Sequence, residues 1–172
     1  MKYTLIILSL LALTIGSCKK KTSNECTYKA GTTVAPASEE LVVTNYLTAN
    51  NITTAVEIDG SGLYYVIDSV GTGTKPTNLC GVVNVTYKGY LPSGTIFDQT
   101  TGTNTASFEL GGVIEGWTRG LQVAGAGTKM RLFIPASMGY GANGIFNSNT
   151  GVYTIPPNSM LIFEVKLLAV TN

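Results

Sequence analysis

The chain has 172 residues, 44% of them hydrophobic and 12% charged, with 20 glycines and a formal net charge of +1. This length suits one domain with an export signal and a short extension, and the composition is typical of a folded, turn-rich β protein. The near-neutral charge, with no basic cluster beside aromatic residues, argues against nucleic acid as a partner, and the lack of histidine excludes Ser-His and Cys-His nucleophile pairs and most catalytic zinc sites.

The amino terminus has the pattern of an export signal. A lysine precedes an apolar run over residues 5–15, and Gly16 and Ser17 stand directly before Cys18. A charged start, a short apolar run and small residues at the exit are typical of a signal peptide, and the run is too short for a permanent membrane span. Residues 1–17 are therefore predicted to be a signal peptide.

The four residues that end at Cys18, IGSC, resemble the lipobox of bacterial lipoproteins. In that motif the cysteine thiol receives a diacylglyceryl group and becomes the acylated amino terminus after cleavage. The resemblance implies lipidation at Cys18, a lipidated linker over residues 18–35, and a membrane partner in the bacterial cell envelope, outside the cytoplasm (in the periplasm or at the cell surface). The alternative is an ordinary secretory signal, with Cys18 as an incidental thiol.

Two cysteines remain, Cys26 and Cys80. In an oxidising compartment they can form a disulfide, or they can stay separate thiols, and the spacing in sequence does not decide between the two. Two cysteines without histidine or an acidic cluster are a poor ligand set, so no metal site is predicted.

Residues 36–60 are predicted to form a helical extension. Ser38 is placed to cap a helix that carries two glutamates in its first turn. Val42, Tyr46 and Ala49 recur on its apolar face. Because so short a helix is marginally stable alone, we expect it to pack on its own domain, or else on a second copy of the chain.

Residues 61–172 are predicted to form one domain, in which the hydrophobic period is two. Five segments between turn residues fit half-buried antiparallel strands. They are Leu63–Val70, Val82–Leu91, Ser107–Leu110, Lys129–Pro135 and Met160–Val170. In the last of them, Ile162 alternates with the apolar core positions and is placed on the face that also carries Glu164.

One short helix is predicted between the strands. Ile114, Trp117 and Leu121 lie on one stripe, and Glu115 with Arg119 offers an i,i+4 ion pair. Since such a helix needs tertiary contacts to persist, the predicted fold is α+β: a curved antiparallel β-sheet wrapped around one short helix, with an amino-terminal helical extension.

Four motifs of this region together resemble a known family. In order they are VNVTYKGYLPSGTIFD, FELGGVIEGWTRGL, GTKMRLFIPASMGYGANG and IPPNSMLIFEVKLL. Their order and spacing resemble FKBP-type peptidyl-prolyl cis-trans isomerases along nearly all of residues 61–172. The resemblance implies catalysis of rotation about the peptide bond before proline, without a cofactor.

The resemblance also implies a binding and catalytic pocket. Its residues are Tyr87, Phe97, Asp98, Phe108, Val113, Ile114, Trp117, Tyr140, Ile155 and Phe163. In the family the tryptophan forms the floor, while the isoleucine N–H and the tyrosine hydroxyl at the positions of Ile114 and Tyr140 bind ligand carbonyls. The implied ligands are proline-containing unfolded or exported polypeptides, and macrolide immunosuppressant-type compounds. Without the resemblance, the aromatic residues would be interpreted as core.

Three departures from the family pattern are visible in the sequence. Ala106 stands where an aromatic residue is common, which predicts a wider pocket on that side. The loop at 99–106 lacks a basic partner for Asp98, and the segment 144–153 is longer than in compact members and is expected to overhang the site.

The sequence is consistent with two functions. The first is an active isomerase that assists the folding of exported proteins. The second is a non-catalytic module whose pocket binds a proline-containing segment of a partner. A hydrolase is a poor third, because no residue pattern would activate a nucleophile.

Overall fold

The structure, a computed structural model, describes residues 26–172. The predicted signal peptide and the predicted lipidation site at Cys18 lie outside the described residues. Among residues 26–172, none of the helices is both long enough and apolar enough to cross a bilayer.

The described part of the chain contains two α-helices and nine strands. In chain order they are α1 (Ala37–Ala49), β1 (Val56–Glu57), β2 (Tyr64–Ser69), β3 (Val82–Tyr90), β4 (Ile96–Gln99), β5 (Ala106–Glu109), α2 (Glu115–Gly120), β6 (Lys129–Ile134), β7 (Ile145–Asn147), β8 (Val152–Ile155) and β9 (Leu161–Thr171). Short 3-10 turns cover Leu110–Gly112, Leu121–Val123 and Ala136–Met138. The predicted α+β class, an antiparallel sheet with a short helix and an amino-terminal helix, is confirmed.

Seven strands form one antiparallel sheet in the order β1-β2-β6-β9-β3-β4, with β5 also paired to β3. The long strand β3 pairs with β5 over Val82–Val85 and with β4 over Lys88–Tyr90, while β9 lies between β3 and β6. β7 and β8 form a separate hairpin. The five predicted strands are all present. β1, β4, β7 and β8, each of two to four residues, were not predicted.

Helix α2 packs against strand β6 on one face of the sheet. A methyl group at Gly116 would overlap the side chain of Ile134, and one at Gly120 would lie 2.7 Å from Leu132. The two glycines therefore weaken the helix intrinsically but allow its backbone to lie close to the strand. Trp117 and Leu121 are buried as predicted.

Helix α1 covers the opposite face of the sheet. Val43 and Leu47 are buried against a cluster that includes Phe133 and Ile162. The helix thus packs on its own domain, as expected. Ile162 is correctly placed on the face opposite the main core, but it is fully buried beneath α1 rather than half-exposed.

The predicted apolar face and cap of α1 are wrong. Val42 is 50% exposed and Ala49 is exposed, and only Tyr46 of the predicted stripe contacts the sheet, with its ring 6.1 Å from that of Phe133. The buried stripe is rotated by about one residue, because the i,i+4 pair of Val43 and Leu47 fills the hydrophobic surface of the sheet. The helix begins at Ala37 and has no side-chain cap, so Ser38 lies inside its first turn.

Residues 26–35, which we call the strap, are attached to the domain rather than forming part of a solvated linker. Cys26 forms a disulfide with Cys80, with their Cα atoms 5.5 Å apart. At the other end, the N–H of Ala35 donates to the Ser61 carbonyl at 2.9 Å. The sequence left the pairing of the cysteines open, and it could not reveal this docking because the strap has no hydrophobic period.

Removal of the disulfide should destabilise the protein. The bond joins cysteines separated by 54 positions in sequence, and a loop of that length corresponds to about 4 kcal/mol of unfolding free energy in the chain-entropy account. Urea unfolding of the Cys26→Ser/Cys80→Ser variant should show this loss, and reduction of the wild-type protein should reproduce it. An unchanged unfolding midpoint in both would contradict the pairing.

Candidate active site

One cavity of about 490 Å³ brings together all ten residues predicted for the pocket. They come from separate segments: β3 (Tyr87), β4 (Phe97, Asp98), β5 (Phe108), the turn into α2 (Val113, Ile114), α2 itself (Trp117), the turn after β6 (Tyr140), β8 (Ile155) and β9 (Phe163). Sequence reasoning missed three further lining residues, Gly112, Ile145 and Thr154. Two of these belong to the β7–β8 hairpin, which was expected to overhang the site but, apart from Ile155, not to supply residues to its wall.

Trp117 forms the base of a cluster of aromatic rings. Its ring centroid lies 5.3 Å from that of Tyr87, 5.7 Å from that of Phe108 and 5.2 Å from that of Phe163, with interplanar angles of 82° to 89°. Phe97 meets Phe163 in the same way, at 5.4 Å and 80°. Such edge-to-face contacts fix the orientation of each ring. The rings contact one another and still leave the cavity open.

Gly89 in β3 makes room for two of these rings. A β-carbon at this position would lie 2.6 Å from Phe97 and 2.7 Å from Phe163. Sequence reasoning did not single out Gly89, although a glycine inside a strand pattern is a known sign of close approach by another group. Its absent side chain is therefore part of the pocket.

The polar rim of the cavity is formed by two tyrosines and one aspartate. The Tyr87 hydroxyl donates to Asp98 Oδ2 at 2.6 Å. Burial, followed by this hydrogen bond and the charge of Asp98, raises the pKa of Tyr87 well above its ordinary value. Burial and the same charge also raise the pKa of Tyr140, which is 36% exposed. Tyrosines are neutral hydroxyl donors at neutral pH, and these shifts keep both protonated into alkali; Asp98 accepts its hydrogen bond from a phenol rather than from a cation.

Ile114, one of the residues that line the cavity, carries a backbone donor at the start of α2. Ile114 is the residue before the helix, and its carbonyl accepts hydrogen bonds from the N–H groups of Trp117 and Thr118 at 2.9 and 3.1 Å. Within residues 26–172, the N–H of Ile114 has no hydrogen-bond acceptor. This leaves one N–H available to a bound group.

Two of the predicted departures can be located in the structure. Ala106 pairs with Val85 and does not line the cavity, and the expected widening beside it stays a prediction. The long segment forms the β7–β8 hairpin, whose rings of Phe146 and Tyr153 lie 5.1 Å apart, both largely exposed, next to the cavity-lining Ile145. Among residues 26–172 there is no group of three or more metal-ligating side chains.

Comparison with known proteins assigns this fold and cavity to a family. The model of the FKBP-type peptidyl-prolyl cis-trans isomerase family matches residues 73–168. The FKBP-type peptidyl-prolyl cis-trans isomerase FkpA of Aeromonas hydrophila is 39% identical over 126 residues, which are 73% of this chain and 44% of that protein. The chain belongs to the family of FKBP-type peptidyl-prolyl cis-trans isomerases.

Two further relatives extend the comparison. The outer membrane protein MIP of Legionella longbeachae is 37% identical over 126 residues, 73% of this chain and 51% of that protein. The crystal structure of a peptidyl-prolyl cis-trans isomerase from Pseudomonas syringae superposes with a TM-score of 0.65 at 34% identity, covering 83% of this chain and 100% of that one. The chain spans about half the length of the curated relatives it matches.

The raised tyrosine pKa values predict a loss of stability in alkali. A group whose pKa is higher in the folded state contributes stability that is complete below its unfolded pKa of about 10 and is lost as the pH rises through the folded value. Burial also raises the pKa of Tyr64, to about 12. The free energy of unfolding should therefore fall above pH 10, measured by urea unfolding.

The Tyr87→Phe variant is the control for this pH dependence. It should lose less stability than the wild type between pH 10 and 12, because it lacks one of the tyrosines that the fold keeps protonated. Equal losses in the two proteins would show that the pKa of Tyr87 is not raised by folding.

Proposed function

We propose that this protein catalyses cis-trans isomerisation of X-Pro peptide bonds in exported polypeptides, by non-covalent stabilisation of the twisted amide in its aromatic cavity. The observation that carries this proposal is the convergence of ten residues from distant segments on one open cavity with Trp117 as its base. A volume of about 490 Å³ lies in the range of ordinary ligand pockets.

The chemistry needs no proton transfer. Rotation about a peptide bond has a barrier of about 20 kcal/mol, because amide resonance is lost as the bond twists. The twisted amide has less charge separation than the planar one, and water stabilises the planar form. A cavity walled by aromatic rings therefore favours the twisted state, relative to solution. This accords with a chain that contains no histidine.

Three uncharged groups orient the substrate. The proline ring rests on Trp117, while the free N–H of Ile114 and the hydroxyl of Tyr140 donate to the carbonyl groups that flank the rotating bond. Each donor acts by positioning, which lowers the entropic cost of reaching the twisted geometry. Asp98 holds the Tyr87 hydroxyl at the rim and keeps that ring in place.

The compartment is proposed from the sequence and the disulfide together. Export directed by residues 1–17, followed by lipidation of Cys18, would anchor the protein to a membrane of the bacterial cell envelope, outside the cytoplasm. The Cys26–Cys80 disulfide supports this location, because such bonds persist in oxidising compartments. Unfolded exported polypeptides, whose slow prolyl bonds limit folding, are the substrates available there. Incorporation of a labelled fatty acid that depends on Cys18 tests the anchor.

A pocket of this kind also fits macrolide immunosuppressant-type ligands. Such a compound would occupy the same apolar walls as a prolyl peptide, and it should inhibit the isomerase competitively. Inhibition that leaves peptide binding unaffected would argue against a shared cavity.

Substitutions at the cavity should show whether its apolar walls or its polar groups contribute more to catalysis. In an assay of prolyl-peptide isomerisation, we expect Phe97→Ala to lower kcat/KM at least about tenfold, equivalent to about 1.4 kcal/mol of transition-state stabilisation. Asp98→Ala and Tyr140→Phe should cause smaller losses, because dryness and shape contribute more than any ionising group. Circular dichroism would establish that each variant is folded.

Ile96→Ala is the matched control for Phe97→Ala. Ile96 is adjacent in β4 but is exposed and does not line the cavity, so its truncation should leave activity unchanged. An equal response of the two variants would contradict the mechanism. Tight binding of prolyl peptides by a wild type that does not accelerate isomerisation would instead favour the non-catalytic binding module.

We further propose that the exposed rings of the β7–β8 hairpin bind the polypeptide on either side of the proline. The double variant Phe146→Ser/Tyr153→Ser should retain activity on a tetrapeptide, because neither ring lines the cavity, and should lose activity on a refolding protein. Val56→Ser/Val70→Ser removes two exposed apolar side chains elsewhere and is the control. Equal rates of protein refolding for both double variants would contradict this role.

A further inference from the structure

The strap is fastened to the domain at both ends, and its middle crosses the segment that forms one wall of the cavity. The disulfide to Cys80 holds its start, and the Ala35 N–H bond to Ser61 holds its end. Between these points it contacts first the 3-10 turn at Leu110–Gly112 and then the first turn of α2.

The contact with the 3-10 turn is made by Tyr28. Its ring lies so close to Gly111 that a methyl group there would overlap it, and its hydroxyl donates to the Glu109 carboxylate at 3.1 Å. The turn is also bonded to the segment around Cys80, since the N–H of Gly111 donates to the Leu79 carbonyl at 2.6 Å. The disulfide and the strap thus hold the same turn from two sides, immediately before the cavity wall begins.

The contact with α2 is polar and centres on Thr33. Its backbone N–H and its hydroxyl donate to the two oxygens of Glu115, at 2.9 and 2.6 Å. Arg119 completes the group: its guanidinium donates to the Thr33 carbonyl at 2.8 Å and lies 3.4 Å from Glu115. The side chains of Glu115 and Arg119 are only 21% and 13% exposed, so these hydrogen bonds to charged groups are sheltered from solvent.

Helix α2 is poorly able to hold its own first turn. It has six residues, two of them glycine, and no side-chain cap, and a helix of this kind depends on external contacts. Glu115 follows Ile114 directly in the chain, so the hydrogen bonds that fix Glu115 also limit where the Ile114 N–H can point. No described group within the cavity holds that N–H.

We propose that the strap is a positioning element of the isomerase site, in which Thr33, by binding Glu115, fixes the Ile114 N–H that orients the substrate carbonyl. The disulfide keeps the strap in place, so the site depends on oxidation of Cys26 and Cys80. The inference rests on the proposed function, because it assigns Ile114 a part in substrate binding. Thr33 itself lies outside the cavity.

The test compares Thr33→Val with Thr33→Ser in the whole chain, with the disulfide formed. Valine has the shape of threonine but lacks the hydroxyl, and kcat/KM for a prolyl peptide should fall about fivefold as the Ile114 N–H, the donor to the substrate carbonyl, loses its orientation. Serine retains the hydroxyl and should restore the wild-type value. Thr48→Val, which removes a hydrogen-bonded hydroxyl from α1 on the other face of the sheet, should have no effect.

The amide resonance of Ile114 distinguishes positioning from loss of stability. In NMR spectra of ¹⁵N-labelled protein, recorded at a temperature below the midpoint of thermal unfolding, this resonance should broaden or shift in Thr33→Val. In Thr33→Ser it should have its wild-type position and width. Reduction of the wild-type disulfide should perturb the same resonance. Wild-type kcat/KM with an unperturbed Ile114 amide in Thr33→Val would overturn the proposal, as would a resonance perturbed equally by valine and serine.

Different experimental results would refute this inference and the proposed function. A wild-type protein that does not accelerate prolyl isomerisation would refute the proposed function, and the Ile114 resonance would still decide whether the strap positions this amide. An active wild type whose Thr33→Val variant is also fully active refutes the strap alone.

Discussion

The pocket depends on the close approach of α2 to β6. Because Gly116 and Gly120 have no side chains, the helix backbone lies directly on the strand, and Trp117 is thereby carried to within about 5 to 6 Å of three other rings. Edge-to-face contacts fix the orientation of those rings, and the space between them stays open. The same contacts that complete the hydrophobic core therefore shape the site, and folding and function share one set of interactions.

The electrostatics of the site follow from this apolar setting. An ordinary tyrosine is protonated over the physiological pH range, and burial with the charge of Asp98 raises the pKa of Tyr87 and Tyr140 further, so the hydroxyl groups at the rim stay protonated into alkali. The reaction proposed above transfers no proton, so it requires no group that titrates near neutral pH. The chain accordingly offers phenols and one backbone N–H at the cavity, where an acid–base enzyme would present a histidine.

The strap joins the disulfide to the wall of the cavity. A disulfide is stable where exported proteins reside, and here it closes a segment that contacts both the turn before the cavity wall and the first turn of α2. A six-residue helix with two glycines is too weak to order itself. The contacts with the strap therefore stabilise a helix that is weakened by its two glycines, which its close packing against β6 requires.

The sequence by itself determined the main strands, the short helix, the family and the ten residues that meet at the cavity, because strand periodicity and four spaced motifs are local signals. Only the tertiary structure decided the rest. The buried stripe of α1, the burial of Ile162, the pairing of Cys26 with Cys80 and the role of Gly89 depend on what lies across the sheet. The docking of Thr33 on Glu115 joins residues 82 positions apart, and no periodic pattern along the chain encodes such a contact.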